Sequence, residues 1–128
     1  MPSIFTRIIN GQIPCHKIYE DEKFIAFLDI RPLAEGHTLV VPKQEIDYIF
    51  DHDDQTLAEM MIFAKKVARA IEKAIPCLRI GLAVVGLEVP HTHLHLIPLH
   101  QPYIDFRNPI HQTQEELAAT AKKIIAHL

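Results

Sequence analysis

Three histidines, His91, His93 and His95, alternate with Thr92 and Leu94 in the run Pro90-His91-Thr92-His93-Leu94-His95-Leu96-Ile97-Pro98. Side chains at every second position of a strand share a face, so this spacing predicts one row of imidazoles, with Leu94 and Leu96 turned the other way into a core. Two chemistries could use such a row. Neutral imidazole is a metal ligand, but His91 and His95 would stand about 13 Å apart at ~3.3 Å per residue, too far for all three to close on one ion. Two adjacent rings would need a further ligand, for which His37 and His100 are candidates without supporting spacing. In phosphoryl or nucleotidyl transfer, by contrast, the central ring attacks phosphorus while its neighbours hydrogen-bond the phosphate oxygens and leaving group. Imidazole titrates near neutrality and serves as nucleophile, donor and general acid without a metal.

The elements needed to position that row can be read from periodicity. Ile4, Phe5, Ile8 and Ile9 lie at helical spacing in the segment from Ser3 to Ile13, which Pro14 stops. Ile18-Tyr19 and Phe24-Leu28, separated by the acidic turn Glu20-Asp21-Glu22, read as a hairpin. Asp29-Ile30-Arg31-Pro32 opens a loop that Gly36 closes, and His37-Val41 forms a third strand ending at Pro42. From Asp54 to Ala74, Leu57, Met60, Met61, Ala64, Val67, Ala68 and Ile71 mark a long amphipathic helix. Ile62 and Phe63 lie beside that stripe, and either a homodimer interface or a broad stripe filling the chain's own core accounts for them. Arg79-Val85 and Val89-Leu96 read as fourth and fifth strands. Thr113 and Glu116 have capping-box spacing before a terminal helix marked by Leu117, Ala121, Ile124 and Ile125. The expected class is α+β: a five-stranded antiparallel sheet with a long helix and a C-terminal helix, in a single domain over residues 1–128.

Composition narrows the partners. The chain has 128 residues, 48% of them hydrophobic, enough for one core and too few for two domains. The formal charge is −3 with no concentration of Lys and Arg, which argues against duplex nucleic acid and leaves room for a small anion in a local site. Cys15 and Cys77 form neither a disulfide framework nor a zinc knuckle, as expected in a reducing compartment. With no signal peptide or membrane-spanning run in the sequence, a soluble, cytoplasmic protein is the expectation.

The run His91 to Ile97 resembles the signature of the histidine triad (HIT) superfamily, His-φ-His-φ-His-φ-φ with φ apolar, except that Thr92 stands at the first φ. The resemblance extends in order and spacing to Ile4-Phe5 with Ile8-Ile9, Gly11, Ile13-Pro14, Ala26-Ile30 with Pro32, His37, and Leu39-Lys43. It covers roughly residues 3 to 99, leaves the tail outside, and points to the small nucleotide-binding branch. It implies a purine nucleotide or conjugate as ligand, with Ile4, Phe5, Ile8, Phe27 and Ile30 around the base and Asp29 on the ribose hydroxyls. His93 is then the nucleophile at the α-phosphorus, His95 a phosphate contact, and His37 and His91 members of the supporting network. A homodimer, meeting through the long helix and a central strand, is also implied.

Three departures from the family pattern matter. Members with a structural zinc carry cysteines flanking the Ile-Phe pair, where this chain has Ser3 and Thr6; hydroxyls are poor zinc ligands, so no metal and no cofactor are expected. The hydrolases of the family present an Asn before the triad and a Gly-Gln pair in the phosphate loop, where this chain has Ile80 and Gly86-Leu87. Gly86 still allows close backbone approach, Glu88 stands near the leaving group, and Ala83-Val84-Val85 make the wall more apolar. Two functions follow. One is a hydrolase or transferase acting on a nucleoside phosphoramidate, dinucleoside polyphosphate or related conjugate through a nucleotidyl-histidine. The other is a nucleotide-binding module with little turnover, acting through protein partners.

Overall fold

A computed structural model describes all 128 residues. In chain order it comprises α1 (Ile4–Ile9), β1 (Lys17–Glu20), β2 (Phe24–Leu28), β3 (Thr38–Pro42), α2 (Asp54–Ala74), β4 (Arg79–Ala83), β5 (Leu94–Leu99) and α3 (Gln114–Ile125), with a 3-10 turn over Ile49–Asp51. The strands form one five-stranded sheet in the order β1-β2-β3-β5-β4, every neighbouring pair antiparallel. This is the expected α+β architecture. No helix is long and apolar enough to cross a membrane.

Helix starts follow local chemistry. The Asp53 side chain accepts the Thr56 N–H at the head of α2, and Thr113 with Glu116 completes the anticipated capping box at α3. The α2 stripe differs in detail from its reading: Phe63 is buried with Met60, Ala64, Val67, Ala70 and Ile71, whereas Met61 and Ile62 face outward. Phe63 lies between Tyr19 and Phe24, which draws it into the core.

Strand alternation sorts side chains onto two layers. Phe24, Ala26, Leu28, Val40, Leu94 and Leu96 face α2 and α3 within a cluster of 17 buried residues. On the opposite face Ile25, Phe27, Leu39 and Val41 join Phe5 of α1 in a cluster of 5. Both faces of β2 and β3 are therefore covered, and every residue of those strands is buried.

α1 has six residues, within the one or two turns expected of the segment from Ser3 to Ile13, and ends at Ile9, where Asn10 caps it and Gly11 turns the chain at φ 77. Element boundaries are corrected at β4 and at both ends of β5. β4 ends at Ala83 rather than Val85. β5 begins at Leu94, not Val89, because its last pairing with β3 is Val40 with Leu94, and it runs to Leu99, not Leu96, because β4 pairs with it as far as Arg79 with Leu99. Before that point the backbone bonds elsewhere: His91 N–H to the Val89 carbonyl and Thr92 N–H to the Ile46 carbonyl. Only His95 of the three histidines lies on the strand; His91 and His93 belong to the turn that enters it.

Candidate active site

His95 pairs with Leu39 across the ladder, which puts it on the α1 face of the sheet. His37 reaches the same face from the residue before β3. Gly36 makes this entry possible: it sits at φ 92, and a Cβ there would come within 3.1 Å of Ile75. The Leu33 backbone N–H donates to His37 Nδ1 at 2.9 Å, so the proton of the neutral ring must be on Nε2. That Nε2–H points at His95 Nδ1, 3.0 Å away, and fixes the His95 proton on its own Nε2. Burial holds both rings neutral, lowering His37 to about 3 and His95 to about 4, with the neighbouring imidazole adding to the effect in each case. One backbone amide thus orients two rings and leaves His95 with an N–H to offer a ligand.

His93 is fixed by a different backbone group. Its Nδ1–H donates to the His91 carbonyl at 2.7 Å, so the lone pair lies on Nε2, which takes no protein partner. Phe5 supports the ring edge-on at 4.9 Å. His91 is fully buried with both nitrogens engaged: Nε2–H donates to the Pro42 carbonyl at 2.7 Å, and Nδ1 accepts from the Ser3 hydroxyl at 2.7 Å. Burial lowers its pKa as well. Thr92, at the position where the family pattern has an apolar residue, is also buried. Its hydroxyl donates to the Ile46 carbonyl and accepts from His52 Nε2, pinning the turn to the loop after β3. The polar replacement is explained by that bond.

His37, His93 and His95 line a cavity of about 370 Å³ with Asp29, Gly86 and Glu88. Gly86 holds φ 72, and nothing lies within 4 Å of where its Cβ would be, so the glycine there serves the turn. Burial raises the Asp29 carboxyl from its ordinary value, and its Oδ1 accepts the Arg31 N–H at 2.9 Å. Asp29 therefore closes a turn, with its other oxygen 3.7 Å from His37 Nε2. That proximity is no ion pair at neutral pH, since burial keeps His37 uncharged.

The remaining anticipated residues lie outside the cavity wall. Phe5 and Phe27 pack together behind His93, with Ile8 against them, while Ile4 and Ile30 are exposed. His91 lies behind the wall. Of the two substituted positions, Leu87 borders the cavity and is 89% exposed, whereas Ile80 packs toward α2 on the other side of the sheet. Val85 lines the wall; Ala83 and Val84 do not. Sequence reasoning missed Arg31, Leu33, Phe106 and Pro109, which complete the lining. The tail returns to the site through Ile110 N–H on the Pro32 carbonyl, placing Phe106 edge-on to His95 at 5.1 Å. No periodicity marks that segment; only its prolines signal an ordered loop.

Asp29, His37 and His95 present ligand atoms within 4.8 Å of one another, a spacing that invites a cation. The donor set does not fit one. His37 could ligate only through Nε2, and freeing that lone pair would move its proton to Nδ1, against the Leu33 N–H.

The family model of the HIT domain matches residues 10–102. The chain belongs to the HIT family. A HIT-like protein of Borreliella burgdorferi is 38% identical over 102 residues, covering 74% of this chain and 73% of the relative. A Saccharomyces cerevisiae protein named adenosine 5'-monophosphoramidase is 40% identical over 96 residues, covering 74% of this chain and 61% of the relative. The crystal structure of a HIT-like protein from Bartonella henselae superposes with a TM-score of 0.88 at 37% identity, covering 98% of this chain and 96% of that one. The HIT match contains the triad, Asp29 and His37. Ser3, Phe5 and Phe106, which support or roof the site, lie beyond its bounds.

Proposed function

We propose that this HIT protein is a nucleotide hydrolase acting at the α-phosphorus of a nucleoside phosphoramidate or related adenosine conjugate through His93. The observation that carries the reading is the His93 tautomer: Nδ1–H is committed to the His91 carbonyl, which leaves the Nε2 lone pair on the cavity side. Nε2 forms a bond to phosphorus, the phosphorus–nitrogen bond of the substrate breaks, and the amine leaves with a proton from solvent. Water then attacks the nucleotidyl-histidine, releasing nucleoside monophosphate and restoring the lone pair. His95 Nε2–H and the Gly86 turn serve the phosphoryl oxygens, Asp29 the ribose hydroxyls, and Glu88 the leaving-group side. The 40% identity to a yeast protein named adenosine 5'-monophosphoramidase supports adenosine as the nucleoside. Incubating wild type and His93→Ala with adenosine phosphoramidate in the presence of chelator tests this: AMP release by wild type alone is expected, and equal release by both removes His93 from the reaction.

A second reading, binding with little turnover, is favoured by the exposed Leu87 at a usually polar place. Nucleotide binding without release from phosphoramidate or dinucleoside polyphosphate would establish it. For either function we propose a homodimer. The β4 edge is unpaired, and Met61 and Ile62 of α2 with Leu78 and Leu82 leave an apolar groove beside it. Light scattering giving a monomer mass would remove the dimer.

A further inference from the structure

We infer that Ser3 and Glu45 are positioning residues for the His93 nucleophile, acting through His91 by a hydrogen-bonded node that takes the place of a metal. The inference rests on the proposed role of His93, and it begins from the cap of α1. Ser3 Oγ accepts the Thr6 N–H at 3.0 Å and donates to His91 Nδ1 at 2.7 Å. Glu45, on the loop after β3, accepts the Ser3 N–H at 2.7 Å and also receives the Thr6 hydroxyl. The far nitrogen of His91 donates to the Pro42 carbonyl, and the carbonyl of the same residue receives His93 Nδ1–H. The N-terminal turn, the end of β3 and the nucleophile are thereby joined through one buried ring.

The direction of each bond makes the node specific. The Pro42 carbonyl can only accept, so the His91 proton is on Nε2 and its Nδ1 must be given a proton by a partner. Ser3 can do so because its hydroxyl accepts from the Thr6 amide and donates at the same time. With Ser3 removed, the one donor left to His91 Nδ1 is the Thr6 hydroxyl, 3.4 Å away and already committed to Glu45, and the ring gains by exchanging tautomer and turning. Its backbone then no longer presents one carbonyl geometry to His93 Nδ1–H, and the Nε2 lone pair loses its aim. A metal does not fit this node. The hydroxyls at 3 and 6 are poor zinc ligands, and the one imidazole lone pair is occupied by the Ser3 proton.

The test compares Ser3→Ala, Ser3→Thr and Glu45→Ala with wild type. AMP release from adenosine phosphoramidate gives kcat and KM, and ¹⁵N-resolved ring signals of His91 and His93 give their tautomers. For Ser3→Ala we expect kcat about tenfold lower with KM within about twofold. The His91 signals should become a tautomer mixture, and Ser3→Thr should restore both readouts. Glu45→Ala should give a smaller change in the same direction. Loss of a helix cap alone would lower the melting temperature yet leave the ring signals as in wild type, and that outcome overturns the inference. So does retention of one zinc per chain after dialysis against zinc. Should Ser3→Ala fail to fold, wild-type ring signals in Glu45→Ala overturn the inference, and a partial tautomer mixture upholds it. If wild type releases no AMP, the proposed hydrolase fails, while the ring signals still decide whether Ser3 holds His91 and His93.

Discussion

On the face of the sheet covered by α2 and α3, Phe24, Val40, Leu94 and Leu96 meet Met60, Val67, Ile71, Leu117 and Ile124 in an apolar layer. On the face covered by α1, the apolar layer of Phe5, Ile25, Phe27, Leu39 and Val41 gives way to His37, His91, His93 and His95, all buried. The first layer needs only shape and hydrophobicity, which many side chains supply. The second needs a particular proton on a particular nitrogen of each ring, and it obtains that from backbone groups at Leu33, Pro42 and His91. Apolar packing is thus concentrated on one face and oriented imidazoles on the other, with β5 contributing to both.

The adjacent residues His93 and Leu94 put this contrast to its sharpest test. His93→Ala should lower AMP release by on the order of a thousandfold while shifting unfolding free energy by only about 1 kcal/mol. Leu94→Ala should cost about 2–5 kcal/mol in denaturant unfolding. A large stability loss in His93→Ala would merge the two layers into one.

A smaller effect is expected for His37→Ala, which removes the donor to His95 Nδ1 and strands the Leu33 N–H. Single-turnover AMP release should slow by about tenfold, because His95 no longer holds one tautomer. Unchanged release would mean that the His37–His95 bond is structural only.

Acid should separate the faces by degrees. Unfolded, His37 and His95 take up protons near 6.5; folded, they do so only near about 3 and about 4. Between those limits the unfolded chain binds more protons, so this stability is fully present above pH 6.5 and declines as pH falls toward 4. Urea midpoints should drop from pH 7 to pH 4.5, and the drop should shrink in His37→Ala. The smallest effect belongs to Leu87→Gln at the exposed rim, where an added amide should lower KM by about two- to fivefold with thermal stability unchanged.

Much of this arrangement was legible in the sequence. Period-two and period-3.6 patterns gave every strand and helix its type, because a burial pattern is written locally. The triad and His37 were legible as candidates from residue type, spacing and family resemblance. Less legible was the break at Leu94, because alternation continues through Val89–His93 whether or not a partner strand is present. Thr92 looked like a mismatch until its bonds to the 46–52 loop supplied the reason. Phe106 was missed because the tail's route back to His95 depends on a long-range bond at Pro32.

By itself, then, the sequence determined the α+β class and singled out His37, His91, His93 and His95, the four histidines buried on the α1 face. Tertiary structure decided which nitrogen of each histidine carries the proton. That choice depends on carbonyls and amides far away in the chain, since an imidazole offers two equivalent-looking nitrogens and only its neighbours in space distinguish them.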